Sequence, residues 1–194
     1  MRKTILLIGM IYLFVYASCN KRIGCNQATY SFNIGIESYP EIDSINLNDT
    51  VWFKIDEPVL LKDQISNTVI DFKQAVNLSF VFAIRKVVSA TNFLNAADSV
   101  AYVIKKGESV TPLHPEYLRE FKLAEENNSY KLEIGLIPKV KGVFSILIEN
   151  SANVYNKTNP CDKANFAIKF SNTNPHYYLG YNIYGDGVYY FKVY

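Results

Sequence analysis

Residues that commonly build reaction centres are scarce in this sequence. Its 194 residues include two histidines, three cysteines and one tryptophan. His114 sits between Pro112 and Pro115, and His176 follows Asn174-Pro175. Both segments read as loops, and neither histidine has a motif partner to fix its tautomer. There is no G-x-S-x-G, no H-E-x-x-H, no phosphate-binding loop and no dinucleotide fingerprint. A structural zinc site wants about four Cys or His ligands at short spacings, and none cluster. The reading therefore assigns no catalytic residue, no metal and no cofactor. Glu133, Glu149, Asp162 and Asp186 could in principle pair as glycosidase carboxylates, but such residues on strands and loops are ordinarily solvated charges. Glycine (9) and proline (7) are sparse, so no segment has the composition of a flexible linker. No internal repeat at a fixed period occurs.

The long apolar run of a membrane span is also missing. Thr4 to Val15 is almost wholly apolar, yet a spanning helix needs about 20 such residues. Arg2-Lys3 ahead of it and the small Ala17-Ser18 behind it complete the three-part layout of a secretory signal peptide. Tyr16-Ala17-Ser18-Cys19 then resembles the lipobox of bacterial lipoproteins, in its looser Bacteroidota form, with Tyr16 where leucine is usual. The resemblance implies cleavage before Cys19 and a diacylglycerol thioether on Cys19. Several acyl chains on one residue would anchor stably where one would not. The other reading is cleavage after Ala17 and a soluble protein with Cys19 as a spare thiol. The expected organisation is a signal peptide over 1–18, a tether over 19–27 and one domain over 28–194. The basic Lys21-Arg22 flank, by the same resemblance, favours a lipid-anchored place in the cell envelope, at the periplasmic side of the outer membrane.

Loss of Arg2 and Lys3 with the leader leaves 18 basic against 18 acidic residues. Such a balance offers nucleic acid no concentrated positive charge. If Cys19 carries lipid, Cys25 and Cys161 remain in a disulfide-permissive compartment, where they pair or stay as two separate buried thiols.

What the mature chain has in quantity is alternation. Tyr30, Phe32, Ile34 and Ile36 recur at every second position, as do Val76 to Ile84, Tyr130 to Leu136, Phe166 to Phe170 and Val188 to Tyr194. That period places one set on each face of a strand. Ile45 to Ile55 reads as a further strand with Trp52 on its otherwise polar face, which marks that face as covered or as a surface site. Val69 to Phe72 and Val100 to Ile104 are shorter strands. Ser89 to Asp98 could hold a helical turn. Thr111 to Arg119 and Asn150 to Asn159 read as loops. Many short strands between turns, without a βαβ rhythm, predict an all-β fold, an antiparallel β-sandwich with at most one or two short helical turns. Gly142 to Ile146 resembles the strand after the E–F corner of immunoglobulin-like domains, with Phe144 where the corner tyrosine would be and Ile146 where the cysteine would be. The resemblance implies the architecture, not the antibody-type family.

Fifteen tyrosines leave one binding signal. Tyr177, Tyr178, Tyr181 and Tyr184 are candidate ligand-binding residues, since rings with a polar tip suit sugar faces and protein partners. Burial of about half the C-terminal tyrosines in the core is the plainer reading. Asp43-Ser44-Ile45, Asp49-Thr50-Val51 and Asp98-Ser99-Val100 resemble the Bacteroidota O-glycosylation triplet, which makes Ser44, Thr50 and Ser99 candidate acceptors. Together these features lead to a non-catalytic envelope lipoprotein. Its partners would be a membrane through the anchor and a protein or glycan through the sandwich. A fimbrillin-like assembly subunit and a glycoside hydrolase are the alternatives.

Overall fold

The computed structural model describes residues 28–89, 91–171, 177–178, 181–182 and 188–194. The expected leader and tether, with Cys19 and Cys25, lie outside the described residues. In chain order the strands are β1 (Thr29–Tyr39), β2 (Ser44–Ile45), β3 (Val51–Pro58), β4 (Leu60–Lys62), β5 (Val69–Asp71), β6 (Ala75–Val76), β7 (Ser79–Ser89), β8 (Asn92–Asn95), β9 (Val100–Lys106), β10 (Glu108–Val110), β11 (Leu118–Lys122), β12 (Ala124–Glu126), β13 (Ser129–Pro138), β14 (Gly142–Glu149), β15 (Ser151–Asn156), β16 (Lys163–Phe170), β17 (Tyr177–Tyr178), β18 (Tyr181–Asn182) and β19 (Val188–Val193). Among the described residues the one helical element is a 3-10 turn, Ala97–Ser99. No described helix is long and apolar enough to cross a membrane.

The expected all-β sandwich is what forms. The first sheet runs β12-β13-β3-β1-β16-β15-β6, with β9 sharing the β12 edge of β13. The second runs β10-β11-β7-β14-β19-β2, with β8 also on β7. Pairing is antiparallel except for two parallel contacts, β1 with β16 and β2 with β19. Each sheet thus has a long strand, β13 or β7, whose one edge carries two short strands end to end. Gly107 links β9 of the first sheet to β10 of the second with φ +91°. A Cβ there would lie 2.7 Å from the Lys122 carbonyl oxygen, so this crossover needs glycine.

Alternation explains the core. Phe32, Ile34 and Ile36 on β1 are fully buried, as are Phe53 on β3, Phe80 and Phe82 on β7, and Phe144 and Ile146 on β14. The two inner faces interlock through rings. Phe53 meets Phe82 edge-on at 6.1 Å and Tyr189 at 5.4 Å, and Tyr102 meets Phe121 at 5.3 Å. Each fully buried ring contributes roughly 1.5–3 kcal/mol by leaving water.

The interruptions follow asparagine. Asn48, Asn67, Asn77, Asn127, Asn128 and Asn153 all take positive φ, with Gln74 beside them. Asparagine reaches this region more readily than other non-glycine residues. Asn48 splits the expected Ile45–Ile55 strand into β2 and β3, which enter different sheets. Asn77 divides β6 from β7 in the same way. The expected loop over Asn150–Asn159 contains β15, a bulged strand irregular between Ser151 and Val154, where Asn153 has φ 58°. The 89–98 segment carries β8 before its helical turn.

Candidate functional site

Trp52 is the centre of a cluster on the outer face of the first sheet. Register sets Tyr39 of β1 directly beside it on one side and Gly135 of β13 on the other. The Tyr39 and Trp52 rings are nearly parallel, 9° apart, with centroids 6.0 Å from each other. The six-membered ring of the indole leans over Gly135. A Cβ at that position would stand 3.1 Å from Cε3 and Cζ3 and 2.6 Å from Thr50 Cγ2. Glycine therefore makes the space in which the ring lies down.

The polar part of the cluster comes from β9 and β13. Glu133 pairs with Lys106 and Ile134 with Ile104, so Lys105 is the extra residue of a β-bulge. Bulges re-aim side chains. Here the Lys105 ammonium stands 3.6 Å from the Trp52 ring centroid and 2.8 Å from Glu133 Oε1. The Tyr39 hydroxyl donates to the same Glu133 oxygen at 2.6 Å. Lys105 first, then Tyr39, hold the Glu133 carboxyl below its ordinary value. Burial, then the bond to Glu133, push the Tyr39 phenol up to about 12. Glu37, Lys54 and Glu133 are successive neighbours across β1, β3 and β13, so charge alternates beside the rings.

This arrangement offers an aromatic surface rimmed by donors and an ionised acceptor. A general acid would need a carboxyl with a raised pKa, and Glu133 is shifted the other way. Glu149 stands at the end of β14 in the second sheet and so shares no sheet with Glu133. Among the described residues no group of three or more His, Cys, Asp or Glu could hold a metal ion.

The residues singled out from sequence separate. Tyr178 pairs with Tyr181, and Tyr177 with Asn182, in the small β17–β18 ribbon. Tyr184 lies outside the described residues, as do His176 and Asp186. Tyr189 and Tyr190 are buried, whereas Tyr194 is exposed. Ser44, Thr50 and Ser99 are all half-buried at one end of the sandwich. Lys139 ties that end together, its N–H donating to the Ser99 carbonyl at 2.8 Å and its ammonium to Asn48 Oδ1 at 3.1 Å. Cys161 is disulfide-bonded. The Trp52 face had a sequence signal, one aromatic out of phase with its strand. Tyr39, Lys105 and Glu133 had none, because register and a bulge bring them in. No protein-family model matches the chain, and no curated protein matches it either.

Proposed function

We propose that this chain is a lipid-anchored module of the cell envelope that binds a glycan, without catalysis, on the Trp52–Tyr39 surface. The cluster itself carries the reading. Sugar rings present apolar faces ringed by hydroxyls, and they are matched by an aromatic face with fixed polar groups at its margin. Trp52 and Tyr39 would supply the faces once a sugar displaces the Lys105 ammonium from the indole, with Glu133 as acceptor and Lys54 and the displaced Lys105 as donors. The position suits presentation. Tyr39 closes an eleven-residue strand that starts at Thr29 next to the expected tether. At about 3.3 Å per residue this puts the rings roughly 33 Å from the anchored end.

The Cys161 disulfide supports export, since such bonds persist in oxidising compartments. Cys25 is the expected partner. It precedes Ala28 by three residues, Cys161 precedes Lys163 by two, and Lys163 N–H donates to the Ala28 carbonyl at 2.9 Å. Cys19 is then left for lipid, and labelled fatty acid should appear on the wild type but not on Cys19→Ala.

Glycan arrays probed with the full-length chain test the binding. Hits should quench Trp52 fluorescence and weaken about tenfold or more in Trp52→Ala. Binding that ignores Trp52→Ala, or the absence of any glycan hit, overturns the glycan reading. A second reading, an assembly subunit, is favoured by β9. Among the described residues this seven-residue strand pairs on one edge only, and Tyr102 and Val103 are exposed. Unpaired edges accept added strands. Sedimentation that shows a concentration-dependent dimer, lost in Val103→Lys, would support it.

A further inference from the structure

The second sheet carries a cleft that the Trp52 surface does not use. β11 and β8 both pair with the same edge of β7, ending at Leu118 opposite Ala83 and Asn95 opposite Arg85. The gap between them opens as a cleft of about 500 Å³ on the outer face, lined by Arg85, Asn92, Phe93, Asn95, Tyr117 and Leu118 among others. That volume lies within the usual range for small-molecule sites, about 300–1,000 Å³.

Its walls are fixed without any ligand. Asn95 accepts from Ala97 N–H at 3.1 Å and donates to the Glu116 carbonyl at 2.5 Å, which ties β8 to the loop bearing Tyr117. Arg119 clamps the same loop from behind. Its guanidinium donates to the Pro115 and Leu118 carbonyls and, at 3.0 Å each, to the Ala97 carbonyl and Asp98 Oδ1. Tyr117 and Leu118 N–H both return to the His114 carbonyl at 3.0 Å. Arg119 is thereby consumed by structure, whereas Arg85 is not. Among the described residues the Arg85 guanidinium makes no hydrogen bond or ion pair, its charge being felt by the Tyr190 phenol two strands away, and no carboxylate lines the cleft. A planar, permanently charged fork left open beside two aromatic rings has a specific complement.

We propose that this cleft binds a small organic carboxylate, with Arg85 as its counter-ion and Phe93 and Tyr117 flanking its apolar body. One guanidinium matches the single charge of a carboxylate and its two coplanar oxygens. A phosphate dianion would need a second cation, which the lining lacks. The rings match an aromatic or branched hydrocarbon part rather than a hydroxylated one. The proposal does not depend on the glycan reading, because the two sites occupy opposite sheets.

The test is a titration of the full-length chain, labelled at arginine side-chain nitrogens, with phenylacetate, phenylacetamide and inorganic phosphate in parallel. The expected result is a saturable shift of one arginine Nε resonance with phenylacetate, absent with the other two. The resonance should vanish in Arg85→Gln, and calorimetric titration of that variant with phenylacetate should give an affinity roughly ten to a hundredfold lower. Arg85→Lys should fall between, since it keeps the charge and loses the fork, and Tyr117→Ala should weaken binding severalfold. Wild-type thermal melting of Arg85→Gln and Arg85→Lys certifies the fold, and Arg85 is exposed on the strand. No saturable shift, equal binding of the amide or of phosphate, or unchanged affinity in folded Arg85→Gln each overturns the proposal.

Discussion

At the scale of single residues, stability rests on a few positions that composition does not single out. Gly135 is one, because the indole of Trp52 occupies the volume its side chain would take. Gly135→Ala should destabilise by about 1–3 kcal/mol, the range for overpacking, and should shift Trp52 emission to the red as the ring lifts into water. Urea unfolding followed by fluorescence reads both effects. Asp63 is another. It is 2 % exposed and organises the β4–β5 loop. Burial alone would raise its pKa, but hydrogen bonds from Ser31 N–H, the Ser66 hydroxyl and N–H, and Ile65 N–H bring it down to about 2. A carboxyl depressed on folding lends stability above its unfolded value near 3.8 and loses it as pH falls through the folded value. Stability should therefore drop between about pH 4 and pH 2 in the wild type. Asp63→Asn should flatten that window and cost about 1–3 kcal/mol at pH 7, because an amide NH2 replaces one of the two oxygens that accept from Ser31 and Ser66. Urea midpoints taken across pH 2–7 check the sign.

At the scale of elements, β14 is the second sheet's spine, flanked by β7 and β19. Phe144, its third residue, is fully buried and stacks on Phe191 at 5.5 Å. Phe144→Ala should cost about 3–5 kcal/mol. Leu113→Ala, at a side chain 88 % exposed, should stay within about 0.5 kcal/mol, and paired denaturation curves compare them. Elements with strict alternation, such as β1, β13, β14 and β16, were legible in the sequence because burial on one face imposes a period of two. β15 and β4 were not. Asn153 and a bulge break the period of the first, and Pro58 hid the second by ending β3 just before it. The candidate site was legible only at Trp52. Cross-strand neighbours depend on register, and no local pattern announces that Lys105 is the bulged residue. The Arg85 cleft was invisible for a similar reason, since it exists between two strands that stop short of each other.

At the scale of the whole molecule, the Cys161 disulfide reaches from the loop before β16 to a cysteine outside the described residues. Cys161→Ser should lower stability by about 2–5 kcal/mol, the usual loss when a native bridge is removed from a small domain. Chemical denaturation with and without reductant should give matching deficits. The placement of β1 has a mechanical consequence. It lies inside its sheet between β3 and β16, and eight consecutive residues, Thr29 to Ile36, stay in parallel register with Lys163 to Phe170. An intact Cys25–Cys161 bridge would pass a tug applied ahead of it into both β1 and β16, along the strands and across the backbone bonds that tie the pair to β3 and β15. Those bonds bear the load side by side, in shear, and do not peel open in sequence. Under such a pull the fold yields late and all at once.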